Sequence, residues 1–443
     1  MSRRLSRIFV VAMTVPLLLA MLAACGAGTT PTTTTTGPVT IKIGTDFPTS
    51  GDDTSNGLPA QNGVQMAIDD ANAQKLAPNV TFVPAFKNDV GPSNSHDPAV
   101  GQKNVTDLIG DNQVAGIVGP FNSSVAQSEL PVANQAPIAL ISPANTNDCL
   151  TQETPADLCG GANSKIKDYR PTGKVTYFRI ATLDQFQGGS LADFAYTKKN
   201  YHKIYIVDDT ETYGAGIAQA FEKKFKSLGG TVLGHDQQPK STTSYLGLLT
   251  KIDATHPDAI FFGGNDSTGG VPMRQAMLQV PGLKNTPFLG GDGIKSSSFS
   301  RTIAKNGGPV FSSVATIDAT GGAAATAGAA KTFIEKYGQK YGANNISAYS
   351  ASAYDCAMII MQAVKNAIAG GAKPPAAGDS AAASTFRQAV IDAIQKIDYN
   401  GLTGHQSFDK NGDTTSRVIT IYTIADDVNV RDGWTPLDTI TVK

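Results

Sequence analysis

From residue 39 onward, short β-branched runs alternate with longer stretches of helical period. Val39 to Thr45 reads as a strand, Gln61 to Ala73 sets Val64, Ala67, Ile68 and Ala71 on one helical face, and Val80 to Phe86 reads as the next strand. A helix from Pro98 to Ile109, a strand at Val114 to Val118, a helix from Ser123 to Gln135 and a strand at Ile138 to Ile141 continue the series. An irregular stretch, Asn145 to Lys174, interrupts it before a strand at Tyr177 to Ile180. A second series then runs through helices at Gly189 to Lys199, Gly214 to Leu228, Tyr245 to Ala254 and Val271 to Gln279. Between them fall strands at Lys203 to Val207, Thr231 to Gly234, Ala259 to Gly263 and Pro287 to Leu289. Thr332 to Ile397 is mostly helical, around Ala351 to Ala369 and Ser384 to Ile397, and Val418 to Ile424 is a late strand. Such β-α-β alternation predicts parallel sheets covered by helices, and two series predict two lobes.

Composition narrows the class. The chain has 443 residues, too many for one compact core. Its hydrophobic fraction of 41% and charged fraction of 16% are those of a globular protein, and a net charge of -1 argues against nucleic acid. The first residues differ from the rest. Arg3, Arg4 and Arg7 precede an apolar run from Ile8 to Ala24, the pattern of a signal peptide over residues 1–24; an uncleaved anchor is the alternative, disfavoured by Pro16 within a short run. Leu22-Ala23-Ala24-Cys25 resembles the lipobox of bacterial lipoproteins, which implies lipid on Cys25 and a body outside the cytoplasm. Residues 25–38, rich in Gly, Thr and Pro, have little to bury and are expected to form a flexible tether. Cys149 and Cys159 flank a polar loop in what is then an oxidising compartment, so they are expected to pair; Cys356 reads as a small core residue.

Enzyme chemistry finds no constellation. The histidines, His96, His202, His235, His256 and His405, are scattered, and there is no His-Glu-x-x-His, no Gly-x-Ser-x-Gly and no phosphate loop. Asp409-Lys410-Asn411-Gly412-Asp413 opens like a calcium loop, but Thr414 and Thr420 stand where its glycine and closing acid belong, so it reads as a turn. No metal and no cofactor are expected. Paired acids Asp52 and Asp53 read as a solvated loop. What remains is Gly119-Pro120-Phe121-Asn122-Ser123-Ser124 and Ser142-Pro143-Ala144-Asn145-Thr146-Asn147. Both follow strands and offer hydroxyls and N–H groups to an anion, although Ser123 as a plain N-cap and Ser142-Pro143 as a plain turn stay open.

At these residues the chain resembles the leucine/isoleucine/valine-binding protein family, the type I periplasmic binding proteins of branched-chain amino acid ABC transporters. The resemblance runs in order through IKIGTDFPTSG with Asn62-Gly63 and AIDDAN, VAGIVGPFNSSVAQSELPVAN, ISPANTN, YFRIATLDQFQG, KIYIVDDTETYGAG, DAIFFGGND with MRQA, and FLGGDG. It implies an α/β fold of two Rossmann-like lobes with parallel-type sheets joined by three hinge crossovers, near Ala181, Thr316 and Thr403. Lobe 1 is then 39–182 and 316–403, lobe 2 183–315 and 404–443. A ligand carboxylate is expected at Ser123, Ala144 and Thr146, and its ammonium at Asp292 and Tyr213. Asn56 and Asn265 stand where the family carries aromatic residues, which makes a large aliphatic ligand less assured; Phe186 and Tyr349 are either pocket walls or core. The implied protein is a non-enzymatic receptor for a small amino-acid-like ligand, with an ABC transporter permease as partner and the membrane touched through lipid alone. A ligand-sensing lipoprotein without a transporter and a secreted hydrolase are the alternatives.

Overall fold

The computed structural model describes residues 38–154, 156–303, 308–425 and 430–442. The signal peptide, the lipidation residue Cys25 and all of the tether except Pro38 lie outside the described residues.

The first sheet contains β1 (Val39–Phe47), β2 (Val80–Asn88), β3 (Val114–Val118), β4 (Ala139–Ser142) and β5 (Tyr177–Arg179), all parallel, in the order β2-β1-β3-β4-β5. Between its strands run α1 (Thr54–Ala73), α2 (Pro98–Gly110) and α3 (Ser123–Gln135), with the short helices α4 (Ala156–Cys159) and α5 (Ile166–Tyr169) before β5. The chain then builds a second sheet. Its elements are α6 (Asp184–Asp193), β6 (Lys203–Asp208), α7 (Thr212–Ser227), β7 (Thr231–Gln237), α8 (Leu246–Asp253), β8 (Ala259–Gly263), α9 (Val271–Met277), β9 (Phe288–Gly290), α10 (Ser297–Ile303) and β10 (Val310–Val314). Three further helices, α11 (Gly328–Tyr341), α12 (Ala348–Ala369) and α13 (Ser380–Ile394), come next; α12 and α13 pack back onto the first sheet. A hairpin of β11 (Tyr399–Gly401) and β12 (Gly404–Gln406) leads to β13 (Val418–Ile424) and β14 (Trp434–Thr441). These last two strands return to the second sheet, whose order is β14-β13-β10-β9-β8-β6-β7.

The burial patterns explain both sheets. Every residue of β3, β4 and β8 is buried, as strands covered on both faces require. β14 alternates instead, because it is an antiparallel edge with one face in water. Cys356 is buried in the core that α1, α12 and α13 form over the first sheet.

Several expectations need correction at the boundaries. The helix expected from Gly189 begins at Asp184 and ends in a π-turn over Phe194–Lys198, and the helix expected from Gln61 begins at Thr54, with Pro59 in its first turns. Strands β10 and β14 and the β11–β12 hairpin were not expected at all. Among the described residues no helix is long and apolar enough to cross a membrane.

Both sheets reverse their strand order at the strand next to one edge, β1 in the first and β6 in the second. In open α/β sheets the crevice at such strands' carboxyl ends is where ligands bind. The loops after β1, β3 and β4 carry Asp53, Asn122, Ser123 and Ala144; those after β6, β8 and β9 carry Tyr213, Asn265, Asp266 and Asp292. All eight residues line one cavity.

Candidate functional site

On the first-sheet side, Gly119 makes the turn out of β3. Its φ is +138°, and a Cβ there would sit 2.6 Å from the Asp46 carbonyl oxygen. The turn delivers Asn122 as N-cap and Ser123 as first residue of α3, where the helix's unpaired N–H groups and positive dipole end collect. Asn122 makes no side-chain cap bond, and its Oδ1 is buried without a donor. Ser142, at the end of β4, ties this loop to the next: its hydroxyl donates to Pro120 O (2.7 Å) and accepts from the N–H groups of Ala144 (3.2 Å) and Asn145 (2.9 Å). Thr146, expected beside the ligand, is fully buried two residues past Ala144 and does not line the cavity; its carbonyl accepts the N–H of Asp184.

Beneath that loop lies Arg179, with no solvent exposure. Its Nε is 2.6 Å from Asp413 Oδ1, and Nη1 donates to Asn147 O at 2.7 Å. The sequence Asp409 to Asp413 is therefore a turn whose last carboxylate is an ion-pair partner: Asp409 Oδ1 accepts the N–H groups of Asn411 and Asp413. Nearby, Cys149 and Cys159 form a disulfide with Cα atoms 4.9 Å apart.

On the second-sheet side, glycines let the loop after β9 touch Tyr213. A Cβ on Gly291 would lie 2.2 Å from Tyr213 Oη, and the Gly293 N–H donates to that oxygen at 3.1 Å. Ser312 of β10 holds the same loop by donating to Gly291 O at 2.8 Å. Asp292 is 4% exposed; its Oδ2 accepts the Tyr349 hydroxyl at 2.7 Å and its Oδ1 has no donor. Burial pushes the Asp292 carboxyl above the ordinary range, against the pull of the Tyr349, Tyr213 and Gln187 side chains around it. Asp266, also at the cavity, accepts the Ser267 N–H (2.9 Å) and the Ser296 hydroxyl; burial raises it to about 7.

Tyr349 belongs to the core that covers the first sheet and also walls the cavity, edge-on to Phe121 with centroids 4.7 Å apart. Asn56 and Asn265 line the cavity as well. Phe186 does not. It lies in a separate surface pocket with Arg417, whose guanidinium stands over the ring 4.7 Å from its centroid.

Asp53 is likewise not a solvated acid. It is 7% exposed and accepts the backbone N–H of His96 (3.1 Å), while His96 Nδ1 lies 2.9 Å from the same oxygen. His96 Nε2 reaches across the cleft to Glu211 Oε2 at 3.6 Å, and Lys240 backs Glu211 at 3.5 Å. Burial opposes a charge on His96, but Asp53 and Glu211 outweigh it and lift the imidazole to about 10; Glu211 is correspondingly held down at about 2. Ser267 also donates across the cleft to Asp53. Sequence reasoning missed His96, Glu211 and Asp266, because 43 residues separate Asp53 from His96 and nothing local marks either as a partner. Clusters of three or more His, Cys, Asp or Glu able to hold a metal are absent among the described residues.

Comparison with known proteins bears on this cavity. A family model described as periplasmic binding protein matches residues 40–429. Among curated relatives, the Leu/Ile/Val-binding protein BraC3 of Rhizobium johnstonii is 25% identical over 259 residues, 58% of this chain and 63% of that one. An amino acid binding protein of Pseudomonas aeruginosa is 25% identical over 61% of this chain and 64% of its own. The chain thus spans just under two thirds of the length of the curated relatives it matches. Among solved structures, the leucine binding protein LivK of Thermotoga maritima superposes with a TM-score of 0.72 at 21% identity, covering 90% of this chain and 99% of that one. LivJ of Streptococcus pneumoniae, in complex with isoleucine, gives 0.70 at 24% identity, with 91% and 99% covered. A solute binding protein of Rhodopseudomonas palustris in complex with p-hydroxybenzoic acid gives 0.71 at 18%, with 91% and 97% covered.

Proposed function

The chain belongs to the periplasmic binding protein family, and from that premise we propose that it is the extracytoplasmic, lipid-anchored receptor of an ABC transporter, which captures a small amino-acid-like solute by hinge closure and passes it to a permease. Ser123, the α3 N-terminus and the Ala144–Thr146 loop receive the ligand's carboxylate; Asp292, steadied by Tyr213, receives its ammonium. The observation that carries this reading is the Asp292 carboxylate, buried at the cavity with one oxygen lacking any donor while the helix end at Ser123 lines the same space. A buried acceptor of that kind stabilises a cation, and oriented N–H groups stabilise an anion.

The two charges sit on loops from different sheets, with hinges near residues 181, 316 and 403. A zwitterion therefore gains both contacts only when the lobes are together, which selects the closed state without chemistry on the ligand. Relatives in the family are solute-binding proteins, with amino acids or hydroxybenzoates named as ligands. An aromatic carboxylate has no ammonium for Asp292, so that residue favours an amino acid.

The test is mass spectrometry of small molecules released on denaturing the purified protein, followed by calorimetric titration of the molecule found. Losing one partner of a desolvated charge contact costs ~2–5 kcal/mol, so Asp292→Ala should bind an amino acid about 30-fold or more weakly. Unchanged affinity, or a natural ligand without an amino group, refutes the ammonium assignment.

A further inference from the structure

The carboxylate and ammonium contacts leave one wall of the cavity unused. Among the lining residues that neither contact uses are Asn56, Asn265, Asp266 and Asp53, two carboxamides and two acids, beside the Phe121 and Tyr349 rings. A branched aliphatic side chain set against these groups would strip their water and return no hydrogen bond. Two acceptors at the cavity are unmet: Asn56 Oδ1 is buried without a donor, and so is Asn122 Oδ1. Asp53 is a carboxylate bonded to His96 and Ser267, and Asp266, raised to about 7 by burial, accepts from Ser267 N–H and Ser296.

We propose that the ligand is an amino acid whose side chain ends in N–H donors, a carboxamide or an ammonium, and that Asn56, Asn265 and Asp266 select it against branched aliphatic amino acids. This rests on the amino-acid reading above and adds the chemistry of the far end. Asparagine isolates that chemistry, because its side chain has the same branching and the same number of heavy atoms as leucine. The two differ in polarity alone.

Calorimetric titration of the full-length chain with L-asparagine, L-2,3-diaminopropionate and L-leucine tests it. A site built to bond an N–H rejects an analogue lacking one far more strongly than a hydrophobic pocket discriminates a methylene. Either polar probe should therefore bind about 100-fold or more tightly than leucine. Tighter asparagine assigns the carboxamide and tighter diaminopropionate the ammonium. Asn56→Leu should narrow the gap to leucine by about tenfold. Leucine binding as tightly as both polar probes overturns the proposal and leaves the amino-acid reading standing. Binding of none of the three overturns the proposal, while the molecule released on denaturation decides the amino-acid reading separately.

Discussion

Replacing His96 with glutamine removes the imidazolium that two carboxylates from opposite sides of the cleft share. Asp53 lies 2.9 Å from Nδ1 and Glu211 3.6 Å from Nε2. The groups facing His96 are these two acids, with Lys240 behind Glu211 and the buried Asp89 within electrostatic reach. A rise from 6.5 to about 10 corresponds to about 5 kcal/mol at ~1.36 kcal/mol per pH unit. That energy is shared by the His96, Asp53 and Glu211 contacts and is counted once. Because the folded-state value is raised, the stabilisation is fully present below pH 6.5 and disappears as pH climbs through about 10. Urea unfolding of wild type and His96→Gln at pH 6, 7, 8 and 9 should thus show a gap of ~3–5 kcal/mol at pH 6 that narrows by ~1.4 kcal/mol per pH unit above 6.5. Subtracting the variant removes the contribution of every other titrating group, including His235, which is also raised by its acids. Parallel pH profiles for the two proteins would refute the reasoning, since they would mean folding does not shift the His96 titration.

Arg179→Met should destabilise by ~3–5 kcal/mol, because Asp413 would stay buried without its cation; Asp413→Asn added to it should restore part of the loss in a thermal melt, and no recovery would count against the ion pair as cause. Cys25→Ser should release the protein from membranes or leave it unprocessed; unchanged fractionation and processing would defeat the lipid anchor.

Strands buried on both faces are readable where apolar residues dominate them: β3, β4, β6 and β8 are mostly continuous apolar runs. β10 did not, since Ser312 and Ser313 break the run, and Ser312 is there to hold Gly291 beside Asp292. β14 hid behind Pro436 and an alternation too weak to separate from a loop. The glycine-flanked loops and the order of motifs located Ser123, Ala144, Tyr213 and Asp292, whose local chemistry suits a carboxylate and an ammonium. By itself, then, the sequence determined the alternation of elements, the fold class and the loops that line the cavity, because periodicity and turn chemistry act over a few residues. Only the tertiary structure decided that Asp53 is an ion-pair partner instead of a solvated acid, that Phe186 leaves the cleft, and that His96 joins Glu211. Those outcomes depend on which loops two separate sheets bring face to face, and burial at such a junction sets the charge of each group there.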